Sequence, residues 1–134
     1  MRIENPDLLA ELRAFPKCEY CPRINGSGID PHHLWLRGID GGYRLDVRFL
    51  MAALDRGCHN DYHAGRITRA ELVAIVTKRE GIVASEEELQ TVVWLLRRSP
   101  KAASREWLLA EGGRQQALGH MTRNAVGLAV LAIT

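Results

Sequence analysis

Asp55-Arg56-Gly57-Cys58-His59-Asn60-Asp61-Tyr62-His63-Ala64-Gly65 is the stretch on which the fold turns. Residues 57–64 suit a helix, and Gly65 stands where a left-handed residue closes one. On that helix His59 and His63, four apart, share a face and come within reach of a single ion; the competing reading is an ordinary surface pair. Cys58 adds a thiolate. Asp55, three residues earlier, offers an oxygen that would complete a tetrahedral site with cysteine sulfurs.

Working outward toward the N-terminus, Cys18-Glu19-Tyr20-Cys21 followed by Pro22 is a tight turn of the kind that presents two thiolates to one zinc ion. Redox enzymes use the same spacing inside a βαβ unit, which is missing here, and otherwise the cysteines are simply buried or free. His32 and His33 stand side by side at the start of an apolar stretch, and His33–Leu36 reads as a short strand. Neighbours on a strand point to opposite sides, so one histidine can hold an ion while the other serves as a base. Four of the five histidines and all three cysteines fall between residues 18 and 63, so any chemistry belongs there.

The flanking segments read as α+β with a strongly helical second half. Asn5 and Pro6 cap a short amphipathic helix built on Leu8, Leu9, Leu12 and Phe15, ending before Pro16. Residues 17–30 and 37–43 are loops, and Leu45–Leu54 fits a buried strand or a helix equally well. Thr68 with Glu71 and Ser85 with Glu88 form two capping boxes, which predict helices over 68–80 and 86–98. Ser99 and Pro100 stop the second and start a third helix running to Gly112 and Gly113. Ala125–Ile133, wholly small or aliphatic, has to be buried as a strand, a last helix or an oligomer contact.

The 134 residues carry 18 basic and 16 acidic groups, a formal charge of +2 that by itself neither demands nor excludes nucleic acid. The basic excess lies in residues 66–134, with 10 basic against 7 acidic groups. A chain of this length buries roughly two thirds of its unfolded surface, so disulfides are not needed for folding. An odd number of cysteines and a polar start without a secretory signal imply a reducing, cytoplasmic setting. The longest uncharged run, residues 124–134, is far short of the roughly 18 apolar residues of a membrane span, so no membrane partner is expected.

Taken together, Asp30-Pro31-His32-His33, then Arg37-Gly38 with Gly41-Gly42, then Cys58-His59-Asn60-Asp61-Tyr62-His63 resembles the HNH endonucleases of the ββα-metal (His-Me finger) class, particularly small phage and prophage members with a CxxC zinc knuckle. The resemblance spans about residues 15–66. It implies a nuclease core over 1–66, preceded within that span by the short helix, and a helical extension over 67–134 packed on the core in the same folding unit. It assigns His33 as general base, with His32, His59 and His63 holding one catalytic divalent ion (Mg2+, Mn2+, Ni2+ or Zn2+) and Asp30 as a supporting or alternative ligand. Cys18, Cys21, Cys58 and Asp55 would hold one structural Zn2+.

Physical chemistry supports that division of labour, because hydrolysing a phosphodiester needs a water deprotonated near neutral pH and a counter-charge for the phosphate. Two departures from the family stand out. Its asparagine, nine residues before the first helix histidine, falls on Leu50, with Asp46 or Arg48 as the nearby polar substitutes; and Asp55 stands where four-cysteine members have a cysteine. The implied function is a metal-dependent DNA endonuclease acting on double-stranded DNA, with an RNA- or structure-selective nuclease on the same core as a variant. The alternative from a different class is a noncatalytic zinc module that binds nucleic acid or a protein through one site of Cys18, Cys21, Cys58 and His63.

Outside the motif, Arg37, Arg56, Arg97 and Arg98 are candidate phosphate contacts or else solvated surface cations. Trp35 either wedges into a DNA groove or packs in the core. On the helix of 86–98, Trp94 lies off the apolar stripe of Leu89, Val92, Val93 and Leu96, beside Arg97 and Arg98. It marks a surface for DNA or a second copy of the chain, or packs beneath the third helix or the C-terminal tail. Lys101 and Arg105 extend that basic neighbourhood, and His120 is an isolated surface residue.

Overall fold

The computed structural model describes residues 1–21, 28–36, 43–101 and 104–134, and within them the chain is α+β, with six helices and one two-stranded antiparallel sheet. Helix α1 (Pro6–Arg13) begins at Asn5, whose side chain accepts from the Leu8 amide, with proline in the first turn. Strand β1 (Ile29–His33) pairs with β2 (Met51–Asp55) in a register that sets His32 opposite Ala52 and His33 opposite Met51. Pro31 is tolerated because a two-stranded sheet leaves β1 an unpaired edge. The strand therefore ends at His33, where the sequence pattern starts one: Leu34 and Trp35 are buried after the strand has ended.

The ambiguous segment before Asp55 divides into a 3-10 turn at Arg48–Leu50 and then β2. All five residues of β2 are buried, and its two faces go to different partners. Met51 and Ala53 pack with Leu8 and Leu12 of α1, whereas Ala52 and Leu54 belong to the main core. A strand covered on both faces shows no polar alternation, which is why periodicity alone leaves it unresolved.

Helix α2 (Arg56–His63) follows β2 without a break, and Asp55 is its N-cap, accepting from the Cys58 amide at 2.7 Å. Gly65 has φ 78°, the left-handed geometry its position requires. Both capping boxes are present, opening α3 (Arg69–Glu80) at Thr68 and α4 (Glu86–Arg98) at Ser85. Helix α5 (Arg105–Ala117) departs from the sequence expectation at both ends. It is capped by Ser104, and it runs through Gly112 and Gly113. Gly112 is kept small by packing, since a Cβ there would lie 2.8 Å from Val126 Cγ1. Helix α6 (Arg123–Ala132) takes up the small and aliphatic run and buries Ala125, Val126, Leu128 and Ala129.

One contiguous apolar cluster runs from Cys18, Leu34 and Leu54 through Leu72 and Val92 to Leu108 and Ala129, so the helical extension shares its core with the sheet. Among the described residues no helix is long and apolar enough to cross a membrane.

Candidate functional site

Two groups of potential metal ligands sit on α2 and its neighbours. In the first, Cys18, Cys21, Asp55 and Cys58 each place one ligand atom within 4.8 Å of the others. Cys18, Asp55 and Cys58 are buried, and the Cys21 thiol donates to Asp55 Oδ2 at 2.9 Å. Burial, followed by hydrogen bonding with Cys21 and Cys18, pushes the Cys58 thiol well above its ordinary range. A cation among these four donors inverts that balance by favouring thiolates, so this cluster fits a metal ion. The helix cap is thus also a member of the cluster: Asp55 Oδ1 serves α2 and Oδ2 faces Cys21.

The second group is His32, His59 and His63, again with ligand nitrogens within 4.8 Å of one another. His32 is 4% exposed, and its Nε2 is buried with no hydrogen-bond partner. A buried unpaired imidazole nitrogen is costly, and a ligand that accepts its lone pair would remove the cost. Burial, then the charges of His59, His63 and His33, lowers the His32 pKa to about 3, which keeps the ring neutral as a metal ligand must be. Edge contacts from Tyr62, whose ring centroid is 4.6 Å away, hold it in place. Tyr62 in turn donates to the Leu34 carbonyl at 2.7 Å.

Asp30 orients His59. Its Oδ2 accepts from His59 Nδ1 at 3.2 Å and from Arg56 Nε at 3.0 Å. Burial works against the Asp30 carboxylate, but the hydrogen bonds from Arg56 and His59 outweigh it and lower its pKa. With Nδ1 donating, His59 Nε2 carries its lone pair toward His63 Nε2, 3.0 Å away. His63 belongs to this group and is grouped apart from the cysteines.

His33 points to the other side of β1, where its Nε2 lies 2.7 Å from Asp46 Oδ1. Asp46 is buried and is gripped by Arg44 through Nε at 2.9 and 3.0 Å. Its Oδ2 also accepts from the Asn5 amide at 2.9 Å. Of Asp46 and Arg48, Asp46 is the one that contacts His33. Arg48 is exposed and pairs with Glu80 and Glu11. A cavity of about 230 Å3 opens over this junction, lined by Leu9, Arg13, Pro31, His32, His33, Leu36, Arg44, His59 and His63.

The remaining candidates are dispersed. Arg56 is exposed and paired with Asp30; Arg97 is half-buried, donates to the Leu36 carbonyl at 2.6 Å and lies over Tyr43. Arg98 stacks on Trp94, which is 38% exposed. Trp35 is core, 6% exposed, with its indole donating to Gln90 and Arg69 stacked on the ring. His120 is exposed and meets Gln115 at 2.8 Å. Arg37 lies outside the described residues, as do Gly41 and Gly42.

Sequence reading did not single out Arg13, Arg44 or Tyr62. Tyr62 carried a usable signal, four residues after Cys58 on the buried side of α2. Arg13 and Arg44 carried none, because only tertiary packing brings them to the histidines. No model of a known protein family matches the chain, and no curated protein or solved structure matches it.

Proposed function

We propose that the protein is a metal-dependent endonuclease of the HNH, ββα-metal type that hydrolyses phosphodiester bonds in DNA. The observation that carries this reading is the junction of β1, β2 and α2. Three imidazoles bring ligand nitrogens within 4.8 Å of one another, His32 Nε2 is buried without a partner, and the adjacent His33 is held separately by a buried carboxylate. An ordinary surface histidine cluster has no reason to bury one member without a partner or to equip its neighbour with a carboxylate.

His32, His59 and His63 would hold the catalytic divalent cation, with Asp30 fixing the tautomer of His59. When bound, that cation supplies Lewis-acid stabilisation of the charge that builds on the phosphate. A carboxylate only accepts, so the Asp46 contact fixes a hydrogen on His33 Nε2 and orients the ring. His33 would take the proton of the attacking water; the water oxygen bonds to phosphorus as the bond to the 3′ oxygen breaks, and the departing 3′ oxygen takes a proton from solvent. Cys18, Cys21, Cys58 and Asp55 would hold a structural zinc that ties the N-terminal turn to the start of α2.

The test incubates purified protein with supercoiled plasmid, without added metal and with Mg2+, Mn2+, Ni2+ or Zn2+, beside the His33→Ala variant. Nicking or linearisation that requires both metal and His33, with metal content unchanged in the variant, is the expected result. Absence of cleavage in every metal, with one tightly held zinc per chain and no second site, overturns the enzyme and leaves a noncatalytic zinc module.

A further inference from the structure

Helix α1 precedes the motif, yet one of its faces forms a wall of the site. Leu8 and Leu12 lock the helix onto Met51 and Ala53 of β2. That packing turns the neighbouring face, marked by Asn5, Leu9 and Arg13 at intervals of four, toward the histidines. Asn5 donates its amide to Asp46, and Leu9 and Arg13 both line the cavity over His32 and His33.

Among the described residues the cavity lining holds two arginines and four histidines and no carboxylate, a composition suited to an anion. The cations around it differ in what they are free to do. Arg44 is spent on Asp46, and Arg56 on Asp30. Arg69, which lines the adjoining depression beyond His63, donates to the Leu34 carbonyl and stacks on Trp35. Arg13 is exposed, and among the described residues its side chain makes no ion pair or hydrogen bond. A guanidinium left uncommitted at the rim of a basic pocket is a fork of donors matched to phosphate oxygens.

We propose that Arg13 binds a backbone phosphate of the DNA next to the bond being cut, making α1 a substrate-binding element. This rests on the nuclease reading above. Arg13 positions the strand; the proton transfer belongs to His33.

The test measures binding of a 20-base-pair DNA duplex by fluorescence anisotropy across a salt series, with the His33→Ala protein as background so that no cleavage intervenes. Arg13→Gln is compared with Arg13→Lys and with Arg123→Gln, which removes the same charge at the start of α6, away from the cavity. Far-UV circular dichroism and zinc content establish that each variant is folded. Arg13→Gln is expected to weaken binding about five- to tenfold and to lower the slope of log K against log salt by about one, with Arg13→Lys recovering part of the loss. In the cleavage assay with His33 present, the same change raises KM more than it lowers kcat. Equal binding by Arg13→Gln and Arg123→Gln overturns the role of Arg13 and leaves the nuclease reading intact. Arg13-dependent binding without cleavage in any metal sustains the phosphate site and overturns hydrolysis. No binding by the background protein overturns the phosphate site, and cleavage by the wild type then still decides the nuclease.

Discussion

His33 Nε2 and Asp46 Oδ1 stand 2.7 Å apart, joining the last residue of β1 to a carboxylate that is itself held by Arg44 and the Asn5 amide. The arrangement fixes one ring nitrogen of the proposed base and restricts its rotation, the same service a carboxylate renders to the histidine of a hydrolase triad. Asp46→Asn keeps the size but loses the charge. Cleavage is expected to fall about 100-fold while the metal content of the histidine group stays the same. A cleavage rate within twofold of wild type would show that Asp46 serves the fold alone.

Acid stability follows from the same carboxylate. Burial opposes ionisation of Asp46, but Arg44, the Asn5 amide and His33 win, so its folded pKa lies below the usual carboxylate value. The unfolded chain then binds more protons than the folded one below about pH 4, and stability falls as pH falls. The Asp46 contribution is therefore fully present above that point and is lost as pH drops through the lowered folded value. Urea titrations of wild type and Asp46→Asn should differ by about 2–4 kcal/mol at pH 6, and by less at pH 3.

Asp55 has two separable duties. Its Oδ1 caps α2, and its Oδ2 faces Cys21 among the cysteines. Asp55→Asn retains an oxygen for the cap and weakens metal binding, whereas Asp55→Ala loses both and costs about 1 kcal/mol more. Competition for zinc against a chromophoric chelator, paired with thermal melts of the two variants, reads the duties independently. Equal zinc affinity in wild type and Asp55→Asn would remove Asp55 from the ligand set.

The two adjacent glycines of α5 should respond in opposite directions. A Cβ on Gly112 would press on Val126 at 2.8 Å, whereas one on Gly113 meets nothing within 4 Å. Gly112→Ala is expected to destabilise by about 1–3 kcal/mol through overpacking. Gly113→Ala should stabilise by about 0.5–1 kcal/mol, because alanine is the better helix former. Denaturant midpoints check both, and a stabilised Gly112→Ala would mean that α6 does not pack against α5 there.

By itself the sequence determined whatever local chemistry dictates. The capping boxes at Thr68 and Ser85, the Asn5–Pro6 start of α1, and the two histidines four apart on α2 were all legible, because each depends on residues within one helical turn. Tertiary structure decided whatever depends on what packs against what. The strand placed at His33–Leu36 ends at His33, since β1 is defined by the residues opposite β2. Helix α5 passes through two glycines because α6 lies close against one of them and the rest of the helix is held by its neighbours. That Asp46 rather than Arg48 meets His33 depends on a fold that sends one side chain inward and leaves the other in solvent with Glu80 and Glu11. Arg13 reaches the cavity over the histidines through two leucines that pin α1 to β2. Hydrogen bonds within a turn are encoded in short stretches of residues, whereas the direction a side chain faces is set by burial against segments tens of residues away.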